Sequence, residues 1–68
     1  MSYQEIINSL DFDGSTYSGV YNGVYVVLMS SWGRWTCELE SGGVKVRASA
    51  NSAADALEAA VAGLSANL

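Results

Sequence analysis

The side chains of this sequence that could do chemistry are few, and Cys37 is the most reactive type among them. A cysteine or serine nucleophile is normally activated by a neighbouring base, most often histidine, and the 68-residue chain contains no histidine. Glu38 and Glu40 are two residues apart, so a strand would place both carboxylates on one face, as an acid and base pair would require. The alternative is that each pairs with a cation on the next strand, and this is the interpretation that we adopt. We therefore predict no enzyme activity, with Cys37 as a buried core residue.

Cofactor, metal and nucleic-acid sites are not predicted either. A lone cysteine excludes an internal disulfide, and without histidine a zinc site is not expected. Seven acidic residues against three basic ones give a net charge of −4, which opposes binding to phosphate backbones and anionic membranes. The longest apolar run, VYVVLM at 24–29, is far shorter than the ~20 residues that cross a bilayer. We expect a cytoplasmic protein with no cofactor, no metal, no nucleic-acid partner and no membrane partner.

The middle of the chain predicts an antiparallel meander of four strands. The duplicated GVY triplets flank Asn22-Gly23, the dipeptide most typical of a two-residue hairpin turn, and Gly42-Gly43 predicts a second such turn. Between them, SSWG at 30–33 is interpreted as a four-residue loop. The strand pairs that follow are Tyr21 with Val24, Val20 with Tyr25, Tyr17 with Leu28, Met29 with Arg34, Leu28 with Trp35, Val26 with Cys37, Ser41 with Val44, Glu40 with Lys45, Leu39 with Val46 and Glu38 with Arg47.

Helices are predicted at both ends, which makes residues 1–68 a single α+β domain with one helix packed on one face of the sheet. The spacing of Ser2 and Glu5 is typical of a helix start, and the first helix is predicted from about Tyr3 to Leu10. DFDGS at 11–15 is interpreted as a turn-rich loop. The last segment is capped by Asn51 or Ser52. Its apolar stripe consists of Ala53, Ala56, Leu57, Ala60, Val61, Leu64 and Leu68.

Because side chains alternate along a strand, the four strands divide into two faces. The face predicted to form the core carries Tyr17, Tyr21, Val24, Val26, Leu28, Trp35, Cys37, Leu39, Val44, Val46 and Ala48. The other face carries Thr16, Ser18, Val20, Tyr25, Val27, Met29, Arg34, Thr36, Glu38, Glu40, Lys45 and Arg47. The second face is apolar along one strand, which leaves a patch beyond the predicted core.

This patch is the predicted partner-binding site. It comprises Tyr25, Val27, Met29, Trp32 and Arg34, and Tyr, Trp, Met and Arg are enriched at protein interfaces. Equally, the N-terminal helix or a second copy of the chain could bury it. A 68-residue core without disulfide or metal is marginal. We therefore expect the chain to form a homodimer or to bind a protein partner.

The C-terminal half, GRWTCELESGGVKVRASANSAADALEAAVAGL, resembles the strand-strand-helix portion of HicB-type antitoxin modules, which share an α-β-β-β-α layout with double-stranded-RNA-binding domains. The matching features are the aromatic strand Trp35 to Leu39, the glycine turn, the strand closing on Ala48, and Ser52 leading into Asp55-Ala56-Leu57. The resemblance implies a module that neutralises a toxin.

The chain is also similar, in general character, to small acidic phage-encoded inhibitors of host defence complexes, including anti-CRISPR proteins. That resemblance implies an inhibitor that binds a larger, nucleic-acid-handling partner in the host cytoplasm. Both resemblances imply a small non-catalytic protein that acts by binding another protein, and a small structural or oligomerisation domain is the further alternative.

Overall fold

The computed structural model describes residues 3–66, which form two helices and five strands. In chain order these are α1 (Tyr3–Asn8), β1 (Asp11–Asp13), β2 (Thr16–Tyr21), β3 (Val24–Ser31), β4 (Arg34–Ser41), β5 (Val44–Ala50) and α2 (Ala53–Ala66). The strands form one antiparallel sheet in the order β1-β2-β3-β4-β5. The α+β class, the antiparallel meander and the two helices are therefore confirmed, and the prediction of four strands is wrong.

The additional strand, β1, lies in the segment predicted to be a loop. Gly14 has a φ of +69°, which lets the chain reverse in two residues and places Asp13 opposite Thr16. Phe12 then lies opposite Tyr17, and the two ring centroids are 4.6 Å apart. Sequence reasoning missed β1 because aspartate on both sides of a single aromatic residue has low strand propensity.

The first helix ends two residues earlier than predicted, and this positions Leu10. The Ser9 hydroxyl donates to the Ile6 carbonyl at 2.7 Å, and the Ser9 N–H donates to the same carbonyl at 3.1 Å. Beyond this helix end, Leu10 is buried over β2 at Gly19, where an added Cβ would lie 3.1 Å from the Leu10 Cδ2 atom. Glycine at 19 therefore makes room for the chain to cross from α1 to β1.

The second helix begins as the sequence predicts. Of the two candidate caps, Ser52 is the one in use, because its Oγ accepts a 3.1 Å hydrogen bond from the Asp55 N–H. The apolar stripe is buried at Ala56, Leu57, Ala60 and Leu64. Two residues used in the helix predictions, Ser2 and Leu68, lie outside the described residues.

Both helices lie on the same face of the sheet. Ile7 and Leu10 belong to one buried cluster with the α2 stripe. The sheet contributes Val26, Leu28, Cys37 and Leu39 to that cluster. We call this side the helical face and the opposite side the outer face. The alternative that the N-terminal helix buries the outer patch is therefore wrong, since the helix packs on the other side.

The register is as predicted in two hairpins and shifted in the third. All the predicted β2–β3 and β4–β5 pairs are confirmed. Between β3 and β4, however, Leu28 lies opposite Cys37 and Ser31 opposite Arg34, so the four-residue loop is instead a two-residue turn at Trp32-Gly33. The predicted pairs Met29 with Arg34, Leu28 with Trp35 and Val26 with Cys37 are wrong. A shift by two residues keeps every side chain on its predicted face, which is why the core was still predicted.

Candidate functional site

The five residues predicted to bind a partner lie on β3, on the β3–β4 turn and at the start of β4. Tyr25, Val27 and Met29 occupy alternate positions of β3 on the outer face, and we call them the outer strip. Trp32 is the first residue of the β3–β4 turn, and Arg34 is the first residue of β4. The five residues are thus neighbours in a single hairpin, around the turn that joins β3 to β4.

The outer strip is open because the helices pack on the helical face. Tyr25 is 48% exposed, and Val20, opposite it on β2, is 69% exposed. Val27 and Met29 are half-buried. Their cross-strand neighbours are Ser18, Glu38, Thr16 and Thr36. The strip is therefore an apolar line one strand wide with polar side chains beside it, the pattern of an interface core and its rim.

Trp32 differs from every other aromatic residue of the described chain in its exposure. It is fully exposed, at 101% of its reference accessible area. Its φ is +56°, and Gly33 follows at +74°. Positive φ is typical of both central residues of a type I′ turn, but it places the Cβ of a bulky residue in steric conflict with its own backbone. Trp32 thus combines backbone strain with an uncovered indole.

Sequence reasoning placed Trp32 in a loop and missed the turn. The available signal was Gly33, because a glycine in the second position is typical of a two-residue turn. Tryptophan in the first position concealed that signal, since asparagine, aspartate or glycine is the usual residue there. Trp32 is therefore both the residue that prevented recognition of the turn and a residue whose strained conformation calls for a functional explanation.

The cations of the described chain all lie on the outer face, where they are mixed with carboxylates. Lys45 Nζ is 3.3 Å from Glu38 Oε1, a diagonal contact between β5 and β4. The register places Glu40 opposite Lys45 and Glu38 opposite Arg47, as predicted, yet the ion pair formed is this diagonal one. With the Lys45 side chain 65% exposed, such a pair contributes little to stability.

The helices carry a different charge distribution. Glu5 lies on α1, and Asp55 and Glu58 lie on α2. In the described helices, no lysine or arginine accompanies these carboxylates. The helices therefore contribute −3 of the net charge of −4, while the outer face carries charges of both signs.

Cys37 is buried, as predicted. The thiol lies in the core on β4, and none of its surface is exposed. Burial, with a smaller contribution from the neighbouring Glu38 charge, raises its pKa from 9.0 to about 12. The thiol is consequently protonated at neutral pH and behaves as a small apolar side chain.

An apolar cleft of about 190 Å³ opens between the helices and the sheet. It lies at the Asn22 end of the sheet, away from the Trp32 turn. Its walls are formed by Ile6, Tyr21, Asn22, Val24, Val26, Leu39, Leu57, Val61 and Leu64. No charged side chain lines it, so the cleft offers van der Waals contact and little that would orient a ligand.

Within residues 3–66, no cluster of three or more cysteine, aspartate or glutamate side chains is arranged to hold a metal ion. None of the described helices has the length and apolar character needed to cross a membrane. Comparisons of the chain with protein-family models, with curated proteins and with solved structures find no match. The functional argument therefore rests on the surfaces of the molecule itself.

Proposed function

We propose that this chain is a non-catalytic protein-binding protein that inhibits a larger partner by covering one of its surfaces. The observation that carries the proposal is Trp32, which is fully exposed and held at a φ of +56°. A bulky residue in the left-handed region costs about 1–3 kcal/mol, and nothing in the fold is gained from its side chain. An exposed indole becomes favourable when a partner buries it, because tryptophan is among the strongest anchors at interfaces.

The outer strip extends the contact beyond a single side chain. Trp32 would anchor one end of the contact, and Tyr25, seven positions earlier in the same hairpin, would anchor the other. Val27 and Met29 lie between them as apolar contact area, and Arg34 supplies a charged group beside the anchor. Exclusion of water from the strip would strengthen the contacts that Tyr25 and Trp32 make on either side of it.

The proposed partner is a nucleic-acid-handling protein with a basic surface. The support is long-range electrostatics: the net charge is −4, and the described helices, on the side opposite the outer strip, carry only acidic charges. A net negative charge accelerates association with a basic partner, and a bound chain would then keep nucleic acid from the surface that it covers. An inhibitor of a host defence complex, of the anti-CRISPR kind, is the specific form of this proposal. The alternative, a HicB-type module that neutralises a toxin, uses the same kind of binding with a different partner.

The experiment that tests the proposal is affinity capture followed by measurement with the purified partner. The partner is isolated from cells of the native host with the wild-type chain as bait, and its dissociation constants for the wild type, Trp32→Asn and Tyr25→Ala are then compared. We expect each substitution to cost about 2 kcal/mol or more of binding, or at least ~30-fold in affinity. A basic nucleic-acid-handling partner would support the inhibitor form, and a small toxin encoded beside this chain would support the antitoxin form.

Asn22→Gly is the matched control, because it changes the equivalent position of the other turn and leaves the outer strip intact. It should bind as the wild type does. Unchanged affinity of both Trp32→Asn and Tyr25→Ala, with both variants folded, would reject this face and direct attention to Asp55 and Glu58 on α2.

A further inference from the structure

The two edges of the sheet differ in length and in charge. β1 and β5 are the terminal strands of the described sheet, with three and seven residues. In a two-residue hairpin, the residues that flank the turn form a hydrogen-bonded pair, and hydrogen-bonded positions alternate from there. On β5 this leaves the N–H and C=O groups of Lys45, Arg47 and Ser49 directed away from β4. On β1 it leaves those of Phe12 directed away from β2.

The side chains beside these free backbone groups are opposite in charge. The β5 edge carries Lys45 and Arg47 on the outer face, two residues apart. The β1 edge carries Asp11 and Asp13 on the same face, also two residues apart. All four of these charged residues are exposed. The basic pair and the acidic pair therefore match each other in spacing and in face.

Symmetric pairing of two identical edges is opposed by like charges. In an antiparallel β5–β5 pair centred on Arg47, two guanidinium groups face each other. In one centred on Val46, Lys45 of each copy faces Arg47 of the other. A β1–β1 pair centred on Phe12 places Asp11 opposite Asp13 twice. Like charges directly opposite each other on adjacent strands are destabilising, so these three registers of two-fold pairing are disfavoured.

We propose that β5 of one copy pairs with β1 of a second copy, in parallel orientation, so that the sheet continues from molecule to molecule. β1 and β5 point in the same direction in the five-stranded meander. A second copy shifted sideways, with its outer face on the same side, therefore brings its β1 alongside β5 in parallel. The contact is heterologous, because it joins two different edges.

One register satisfies the backbone and the charges together. It places Phe12 of the second copy opposite Val46, Asp11 opposite Lys45, and Asp13 opposite Arg47. In a parallel pair, a residue bonds to the two positions that flank the one opposite it. The Phe12 N–H can then donate to the Lys45 carbonyl, and the Phe12 carbonyl can accept from the Arg47 N–H. These are groups that the fold leaves free, and the carboxylates fall beside the cations.

The same contact would cover an exposed aromatic residue. Phe12 is 56% exposed on the helical side of β1. In this register its ring lies beside Val46, which is half-buried under α2. The interface leaves Trp32 and the outer strip free, so it is independent of the proposed partner contact. Because β1 is short and its charges are exposed, the association is expected to be weak and sensitive to salt.

Sedimentation velocity over a range of concentration and salt tests this proposal with the protein alone. At low ionic strength the mean mass of the wild type should rise continuously with concentration, because a heterologous contact does not stop at a dimer. Asp11→Lys with Asp13→Lys should weaken association by about tenfold or more, and so should Lys45→Glu with Arg47→Glu. An equimolar mixture of the two double variants should associate again, since both edges of one variant are then basic and both edges of the other are acidic.

Circular dichroism checks that each variant is folded before it is compared. A backbone control uses Arg47→Gln and Arg47→Pro, which both remove the charge, although only proline also removes the outward N–H. Proline should reduce association further than glutamine. A wild type that stays monomeric at all concentrations, a closed dimer, or double variants whose mixture behaves as the sum of its parts would each overturn the proposal.

Discussion

The turns at the two ends of β3 have the same backbone and different residues. Asn22-Gly23 has φ values of +50° and +80°, and Trp32-Gly33 has +56° and +74°. Asparagine is at home in this conformation because its short polar side chain tolerates the left-handed region. Tryptophan has no such compensation, and it is fully exposed. The fold therefore needs a residue with left-handed φ at position 32 and does not need that residue to be tryptophan.

A third turn of the same kind confirms what the backbone alone requires. Gly42-Gly43 has φ values of +57° and +85°. Across the three turns the second residue is always glycine, while the first is asparagine, tryptophan or glycine. The backbone conformation therefore requires glycine at the second position of each turn. The residue at the first position varies, so it can serve a purpose other than forming the turn.

The largest effects are expected at the glycines, and they should be equal in the two turns. A Cβ at Gly23 or Gly33 would meet no atom within 4 Å, so only the positive φ opposes it. Gly23→Ala and Gly33→Ala should each lower the free energy of unfolding by about 1–2 kcal/mol, measured by denaturant titration.

Gly63→Ala is the control for these two substitutions. Gly63 lies inside α2, where a Cβ would make an ordinary 3.9 Å contact with Val46. The same change should there raise stability by about 0.5–1 kcal/mol, because alanine is the better helix former. Costs at Gly23 and Gly33 that differ by more than about 1 kcal/mol would show that the two turns are not conformationally equivalent.

A smaller loss is expected when the unusual residue is moved to the ordinary turn. Asn22→Trp should destabilise the fold by about 1 kcal/mol, because it creates at the first turn the strain that Trp32 imposes on the second. The measurement is again the midpoint of denaturant unfolding, with Asn22→Gly as the control that keeps the conformation available. If Asn22→Trp left the free energy of unfolding unchanged, tryptophan would not be destabilising in this kind of turn.

The contrast between the turns also explains how much of the fold could be predicted. Asn22-Gly23 and Gly42-Gly43 were recognised because their residue types favour left-handed φ, and the registers that depend on them are confirmed. Trp32-Gly33 was not recognised, and the β3–β4 register was wrong by two residues. The alternation of apolar side chains still placed the core correctly, because an even shift does not exchange the faces.

The face of the sheet that carries the candidate site could be predicted from the sequence, whereas the backbone conformation of Trp32 could not. The placement of Tyr25, Val27 and Met29 on an open face follows from alternation along β3. The left-handed φ of Trp32 could not be predicted, since single-residue preferences argue against it. β1 was missed for a related reason: its three residues depend on pairing with β2 rather than on their own propensity.

The most direct test of the account is the stability of Trp32→Asn, which gives the second turn the first residue of the ordinary one. Trp32→Ala serves as the control, because it removes the indole but keeps a residue that is unfavourable at positive φ. We predict that Trp32→Asn raises the free energy of unfolding by about 0.5–1 kcal/mol, while Trp32→Ala stays within a few tenths of the wild type. A Trp32→Asn variant less stable than the wild type would mean that the indole supports the fold, and would contradict the claim that Trp32 is kept for a partner.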